Sequence, residues 1–259
     1  MEQLTFGACV KKSWSSAWQA IMQMPGLFLG MCIVYACSTL LSDSLHPASP
    51  GAGQIDAAAR TGHVLVKVLL ALLQFVAYAV LNIKVYRFVL LGERAFPLIP
   101  LGGQPLGRYV AFSFGIALGM LVLMMPAVLF IRPLLLIGVL IGAVMLIVCM
   151  FVMGRLSLLY PSIALGSPIA LRAAWRDTRG HFWSLFSVWL IAYMPLMLVW
   201  IVLTAALGGP KMLAASMQGT PLIAVGMVLI NAVCTVLTSS SLAWLYRRYA
   251  NALLDQVWH

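Results

Sequence analysis

Six long apolar runs, at about 25–41, 64–85, 109–130, 134–152, 185–207 and 222–245, limit what this chain can fold into more than any other feature. Each is roughly 20 residues, and at 1.5 Å per residue such a helix crosses a hydrocarbon layer of about 30 Å. Charged side chains fall almost entirely in the gaps between the runs. With 63% hydrophobic and only 8% charged residues, the chain has too little polar surface to cover a water-soluble globule. The expected fold is all-α: a polytopic membrane protein with six transmembrane helices and amphipathic interfacial helices, residues 1–259 forming a single integral membrane domain. The net charge of +10 sits beside the apolar runs, which points to anionic headgroups rather than nucleic acid as its counterpart.

The flanking segments fit this scheme. Over residues 5–20, Phe6, Val10, Trp14 and Trp18 recur at helical spacing with Lys11 and Lys12 between them, the pattern of an interfacial helix. The apolar run that follows is long and is preceded by tryptophans, unlike the short core of a cleaved signal peptide, so it is expected to be retained. At the other end, Tyr249, Leu253, Leu254 and Val257 share one side of residues 247–258, which predicts a second interfacial helix. Gly92 and the Pro and Gly residues after it are expected to end the second span and turn the chain along the surface. Only Arg132 and Pro133 separate the third and fourth spans, so these must form an antiparallel hairpin. Gly115 and Gly119 in one, and Gly138 and Gly142 in the other, repeat at four-residue spacing. Such faces let backbones approach closely, and helix packing inside the hairpin is the first expectation, a homodimer interface the second. Pro195 is expected to kink the fifth span.

Orientation follows from the basic residues. With the N-terminus inside, the inner segments hold Lys11, Lys12, Lys84, Arg87, Arg94, Arg108, Arg155, Arg172, Arg176, Arg179, Arg247 and Arg248, and the outer ones Arg60, Lys67, Arg132 and Lys211. Both termini are therefore predicted to be cytoplasmic.

Sites of chemistry are sparse. The acidic residues Glu2, Asp43, Asp56, Glu93, Asp177 and Asp255 all lie outside the middle of the spans, whereas ion-coupled carriers keep an ionisable group there. His46, His63, His181 and His259 have no carboxylate at ligand spacing, and Cys9, Cys32, Cys37, Cys149 and Cys234 form no CxxC or Cys/His cluster. No metal site, cofactor, catalytic residue or enzyme activity is expected. Gln74, Asn82, Ser113, Thr204, Asn231 and Thr235 fall inside spans and are read as interhelical hydrogen-bonding groups.

The connection from Arg155 to Trp183 is the most distinctive segment. A helix is expected to start near Ile169, capped by Ser167 with Pro168 at its first position, and to carry Arg172, Arg176 and Arg179 on one side. With Arg155, Trp175 and Trp183 these form a candidate surface for anionic lipid headgroups or a protein partner, set against an ordinary basic anchor of the inner leaflet.

The run R-x-x-L-x-x-P, then A-x-x-x-A-W-x-x-T-x-G-x-x-W, is carried by Arg155, Leu158, Pro161, Ala170, Ala174, Trp175, Thr178, Gly180 and Trp183. It resembles a signature of six-span bacterial inner-membrane proteins related to the membrane domain attached to some glycerophosphodiester phosphodiesterases. YRFVLLGE at 86–93 adds to that resemblance. The resemblance implies a location in the bacterial inner membrane and carries over no catalytic residue, because the phosphodiesterase chemistry of the fused proteins belongs to a separate soluble barrel. Three functional expectations remain: a non-catalytic, lipid-contacting structural or scaffold subunit with a possible protein partner; a carrier of a lipid or small amphiphile; and, third, an intramembrane enzyme of lipid metabolism.

Overall fold

The computed structural model describes residues 6–44, 57–93, 104–131, 135–206, 221–250 and 253. Among these the structure is all-helical. The helices are α1 (Phe6–Gln23), α2 (Pro25–Ser44), α3 (Ala57–Leu91), α4 (Gln104–Ile131), α5 (Leu135–Leu156), the short α6 (Leu159–Ala164) and α7 (Leu171–Asp177), α8 (Phe182–Ala206) and α9 (Pro221–Tyr249). Four segments, Gly62–Leu91, Pro105–Pro126, Gly138–Ala164 and Val228–Tyr249, are long and apolar enough to cross a membrane. The α1–α2 pair would be a fifth if taken as one broken span; it bends by 87° at Met24. The chain is thus a multi-pass, apolar helical protein.

The bend falls where an amphipathic segment gives way to a uniformly apolar one. Pro25 lacks the amide that would continue α1 and opens α2, as proline does at a first helical position. α1 lies against α9, and a polar clamp fixes it there. Trp244 Nε1 donates to Ser16 Oγ at 2.9 Å, while Lys12 Nζ and the Arg247 guanidinium lie 5.0 and 5.2 Å from the Trp244 ring.

α3 outruns its expected boundaries at both ends. Its 35 residues span about 52 Å, well beyond the ~30 Å that a hydrocarbon layer requires. The end of the helix near Gly92 is held by packing, since Val85 and Tyr86 are buried against neighbouring helices. The helix stops where the sequence predicts: Gly92 takes a left-handed φ of +69°, its amide still bonded to Phe88 O at 3.0 Å. Arg87 then closes the turn with two 2.9 Å bonds, from Nε and Nη2, to the Glu93 carboxylate.

Two apolar clusters hold the bundle. One joins α1 and α2 to α3 and α9 through Phe28, Met31, Leu81, Val236 and Leu237. The other lies at the basic end and gathers the ends of α3, α4 and α9 around α6, with Leu158, Leu159, Ile163, Tyr86, Tyr246 and Leu253 at its centre. α9 runs straight to Tyr249, so residues 247–249 belong to it rather than to a separate interfacial helix; most of the expected C-terminal helix lies outside the described residues. Leu253 is fully buried and its amide donates to Asp177 Oδ2 at 3.0 Å, tying the chain beyond α9 to α7.

α4 and α5 pack chiefly against each other, as so short a connection requires. The four glycines expected to pack inside the hairpin differ in exposure. Gly138 is buried and Gly142 half-buried, but Gly115 and Gly119 are exposed, and a Cβ at either would meet nothing within 4 Å. They share the outward face of α4 with Phe114, Leu118 and Val122. Four-residue spacing puts two glycines on one face without saying which way that face points.

Candidate functional site

The residues of the expected basic surface divide into two kinds. The Arg155 guanidinium lies against an edge-to-face pair of rings, 5.0 Å from Phe151 and 4.8 Å from Trp175, and its Nη1 donates to Trp175 O at 3.1 Å. It therefore joins the end of α5 to α7. Arg172, Arg176 and Arg179 are exposed, as is Trp183 at 76%, which meets Phe186 edge-on. The helix expected from Ile169 begins instead at Leu171, with Ala170 at its N-cap and no side-chain cap. Gly166, at φ +94°, ends α6 and sends residues 167–170 across to α7; Ser167 is buried there, and its amide bonds Ser162 O at 3.2 Å.

The resemblance motif owes its pattern largely to this packing. Leu158, Pro161, Ala174 and Thr178 are buried, Thr178 Oγ1 donates to Ala174 O at 2.8 Å, and Gly180 takes a φ of +83° that side chains disfavour. Tyr249 reaches the same corner, 4.8 Å from the His181 ring and hydrogen-bonded to Ser184.

A second site is legible only in the structure. A half-open cavity of about 1180 Å³ lies between α3 and α9 on one side and α4 and α5 on the other, with α8 at its edge. Along α3 it runs from Ala71 to Tyr86, and along α4 from Tyr109 to Met124. Each stretch is about 22 Å at 1.5 Å per residue, most of the thickness of a hydrocarbon layer. It ends beside the central connection, at Gly154, Ser157 and Tyr160. Drug-sized pockets reach about 1,000 Å³, so this one is large enough for a lipid-like molecule.

Its walls differ in chemistry. Tyr78 and Asn82 on α3 face Asn231, Thr235 and Ser239 on α9 in a ladder of neutral polar groups. Tyr78 Oη donates to Asn231 Oδ1 at 2.8 Å and lies 2.9 Å from Thr235 Oγ1. Asn82 Nδ2 donates to Tyr109 Oη at 3.2 Å and Asn82 Oδ1 accepts from Ser239 Oγ at 2.7 Å. Gln74 Nε2 donates to Ser38 Oγ. Interhelical bonding, expected for Gln74, Asn82, Asn231 and Thr235, is thus what they do. Ser113 lines the cavity, and the Thr204 side chain lies outside the described residues. The opposite wall is mostly apolar, with Ile116, Met120 and Met124 on α4 and Leu146, Met150 and Met153 on α5; Tyr109, Ser113, Ser157 and Tyr160 are its polar groups, gathered towards one end. No Asp, Glu, Lys, Arg or His is among the described residues that line the space.

The ladder did have a sequence signal. Tyr78, Asn82 and Tyr86 are four residues apart, as are Asn231, Thr235 and Ser239, so each set lies on one helix face. Among the described residues, no three His, Cys, Asp or Glu side chains come together as a metal site, and the five cysteines are free. Comparison with known proteins finds no match for this chain among family models, characterised proteins or solved structures.

Proposed function

We propose that this protein binds a lipid or small amphiphile inside its helical bundle and acts without catalysis as a carrier or lipid-presenting subunit of the bacterial inner membrane. The observation that carries the reading is the cavity of about 1180 Å³, long, walled by neutral polar groups on one side and methionine and aliphatic side chains on the other. The space is half open, with Leu146, Met150 and Met153 exposed along it, so an amphiphile can enter it from outside the bundle, which a purely structural scaffold has no need to allow. The cavity therefore favours the carrier over the scaffold. The bacterial inner-membrane location rests on the motif resemblance around Arg155 to Trp183.

The topology proposed with it has six spans and both termini cytoplasmic. α2, α3, α4, α5, α8 and α9 supply the spans, and α1 lies in the interface. Support comes from the basic residues of the bundle: Arg108 and Arg155 bond to the backbone of Gly166 and Trp175 in the α6–α7 region, while Lys12 and Arg247 flank Trp244 near the end of α9. In this topology Arg172, Arg176 and Arg179 face the anionic leaflet and hold headgroup phosphates there.

The test is native mass spectrometry of protein purified in mild detergent, beside Ala117→Trp, which puts an indole into the cavity from α4. The reading expects a bound lipid enriched over the bulk membrane in the native chain and lost from the variant. A lipid complement equal to bulk membrane in both would overturn it.

A further inference from the structure

We infer that the ligand is a lipid with an uncharged headgroup bearing hydroxyl or carbonyl oxygens, its head on the α3–α9 ladder and its hydrocarbon along the α4–α5 wall. This rests on the reading that the cavity holds an amphiphile, and narrows it to one chemical class.

The first argument is charge. A phosphate or ammonium group carried to membrane depth without a counter-charge or water loses several kcal/mol of solvation. Nothing ionisable with a fixed charge lines this cavity among the described residues, so a charged headgroup would find no compensation inside. The arginines that could pair with a phosphate, Arg172, Arg176 and Arg179, are exposed at the end of the bundle instead.

The second argument is hydrogen-bonding capacity. A primary amide has two N–H donors and two acceptor lone pairs, and a hydroxyl both donates and accepts. Asn82 donates to Tyr109 and accepts from Ser239, which leaves its amide capacity for a ligand hydroxyl or ester carbonyl. Asn231, accepting from Tyr78, stands two helical turns from Ser239 on the same face of α9. A neutral head can therefore be satisfied at the Asn82 and Asn231 amides.

The third argument is the opposite wall. Met120, Met124, Met150 and Met153 are unbranched and polarisable, and such side chains adapt to chains of varied length and unsaturation. The separation of polar from apolar lining matches the two ends of one amphiphile and sets its orientation.

The experiment uses the full chain in vesicles of phosphatidylethanolamine and phosphatidylglycerol. Two probes carry the same photoreactive diazirine at the end of an acyl chain: a diacylglycerol and a phosphatidylglycerol. Labelled peptides are mapped by mass spectrometry. The diacylglycerol is expected to label peptides bearing Met120, Met124 and Met150, in preference to the outward face at Phe114 and Leu118. Labelling should fall about fivefold in Asn82→Leu, the effect of losing one hydrogen-bonded amide. Comparing the two probes on the native chain decides the matter even if the variant fails to fold. Cavity labelling by phosphatidylglycerol equal to or above that by diacylglycerol overturns the neutral-head inference and leaves the cavity reading standing. Labelling of the cavity by neither probe overturns both.

Discussion

Replacing Arg155 with lysine keeps the charge and removes the planar group that lies against two rings. In the native chain the guanidinium lies 5.0 Å from Phe151 and 4.8 Å from Trp175 and donates to Trp175 O at 3.1 Å. Each cation–π contact at a partly exposed site contributes about 0.5–1 kcal/mol, and an ammonium, being compact and strongly hydrated, recovers little of it. The lysine can still reach one carbonyl, so the net loss is about 1–2 kcal/mol. For a chain of this size that corresponds to an apparent Tm lower by roughly 2–8 °C. The assay is thermal unfolding in detergent, with Arg172→Gln/Arg176→Gln/Arg179→Gln measured alongside. The exposed triple variant should unfold within about 1 °C of the native chain, because exposed surface charges add little to stability. Equal Tm for Arg155→Lys and the native chain would refute the reasoning. So would a triple variant destabilised as much as Arg155→Lys, because the division between a structural and a surface arginine would then be false.

The same triple variant should bind phosphatidylglycerol vesicles more weakly than the native chain in flotation at low salt, the difference shrinking as salt is raised. Gly92→Ala should cost about 1 kcal/mol, read as a lower apparent Tm, because the left-handed backbone at φ +69° is strained for alanine although space around it is open. Arg87 holds the Glu93 carboxyl below the usual glutamate range. The pair's contribution is therefore full above that range and is lost as pH falls through the lowered value; with both partners partly exposed it stays under about 1 kcal/mol, and Glu93→Gln should remove whatever acid-dependent change in Tm it causes. Gly115→Leu/Gly119→Leu should leave the Tm of the monomer unchanged, since both positions face outward; light scattering would reveal a change of oligomeric state if copies meet on that face.

Much of the backbone was readable because a helix at membrane depth must be long, apolar and bounded by breakers. The junction at Met24 and Pro25, the stop at Gly92 and the pairing of α4 with α5 all follow from that. The extension of α3 back to Ala57 did not, and neither did the burial of Val85 and Tyr86, which sit in the two apolar clusters of the bundle. Uniform apolarity is what hid the rest. A soluble helix marks its inner face by polarity, but α4 and α5 are apolar all round, so spacing grouped Gly115 with Gly119 without revealing that they point outward. For the same reason Asn82, Asn231 and Thr235 read as separate bonding groups, and only their placement across α3 and α9 makes one wall of a cavity. Ser167 and Pro168 carried a helix-start pattern, overridden by Gly166, whose left-handed turn places the start at Leu171.

The central claim, that a molecule other than water fills the space between α3–α9 and α4–α5, is tested most directly by a high-resolution density map of the protein in a lipid nanodisc. The account predicts a continuous elongated feature along Met120, Met124 and Met150 that ends within hydrogen-bonding distance of Asn82 or Asn231. A space closed by side chains from the two walls, or one holding only separate water peaks, would contradict it.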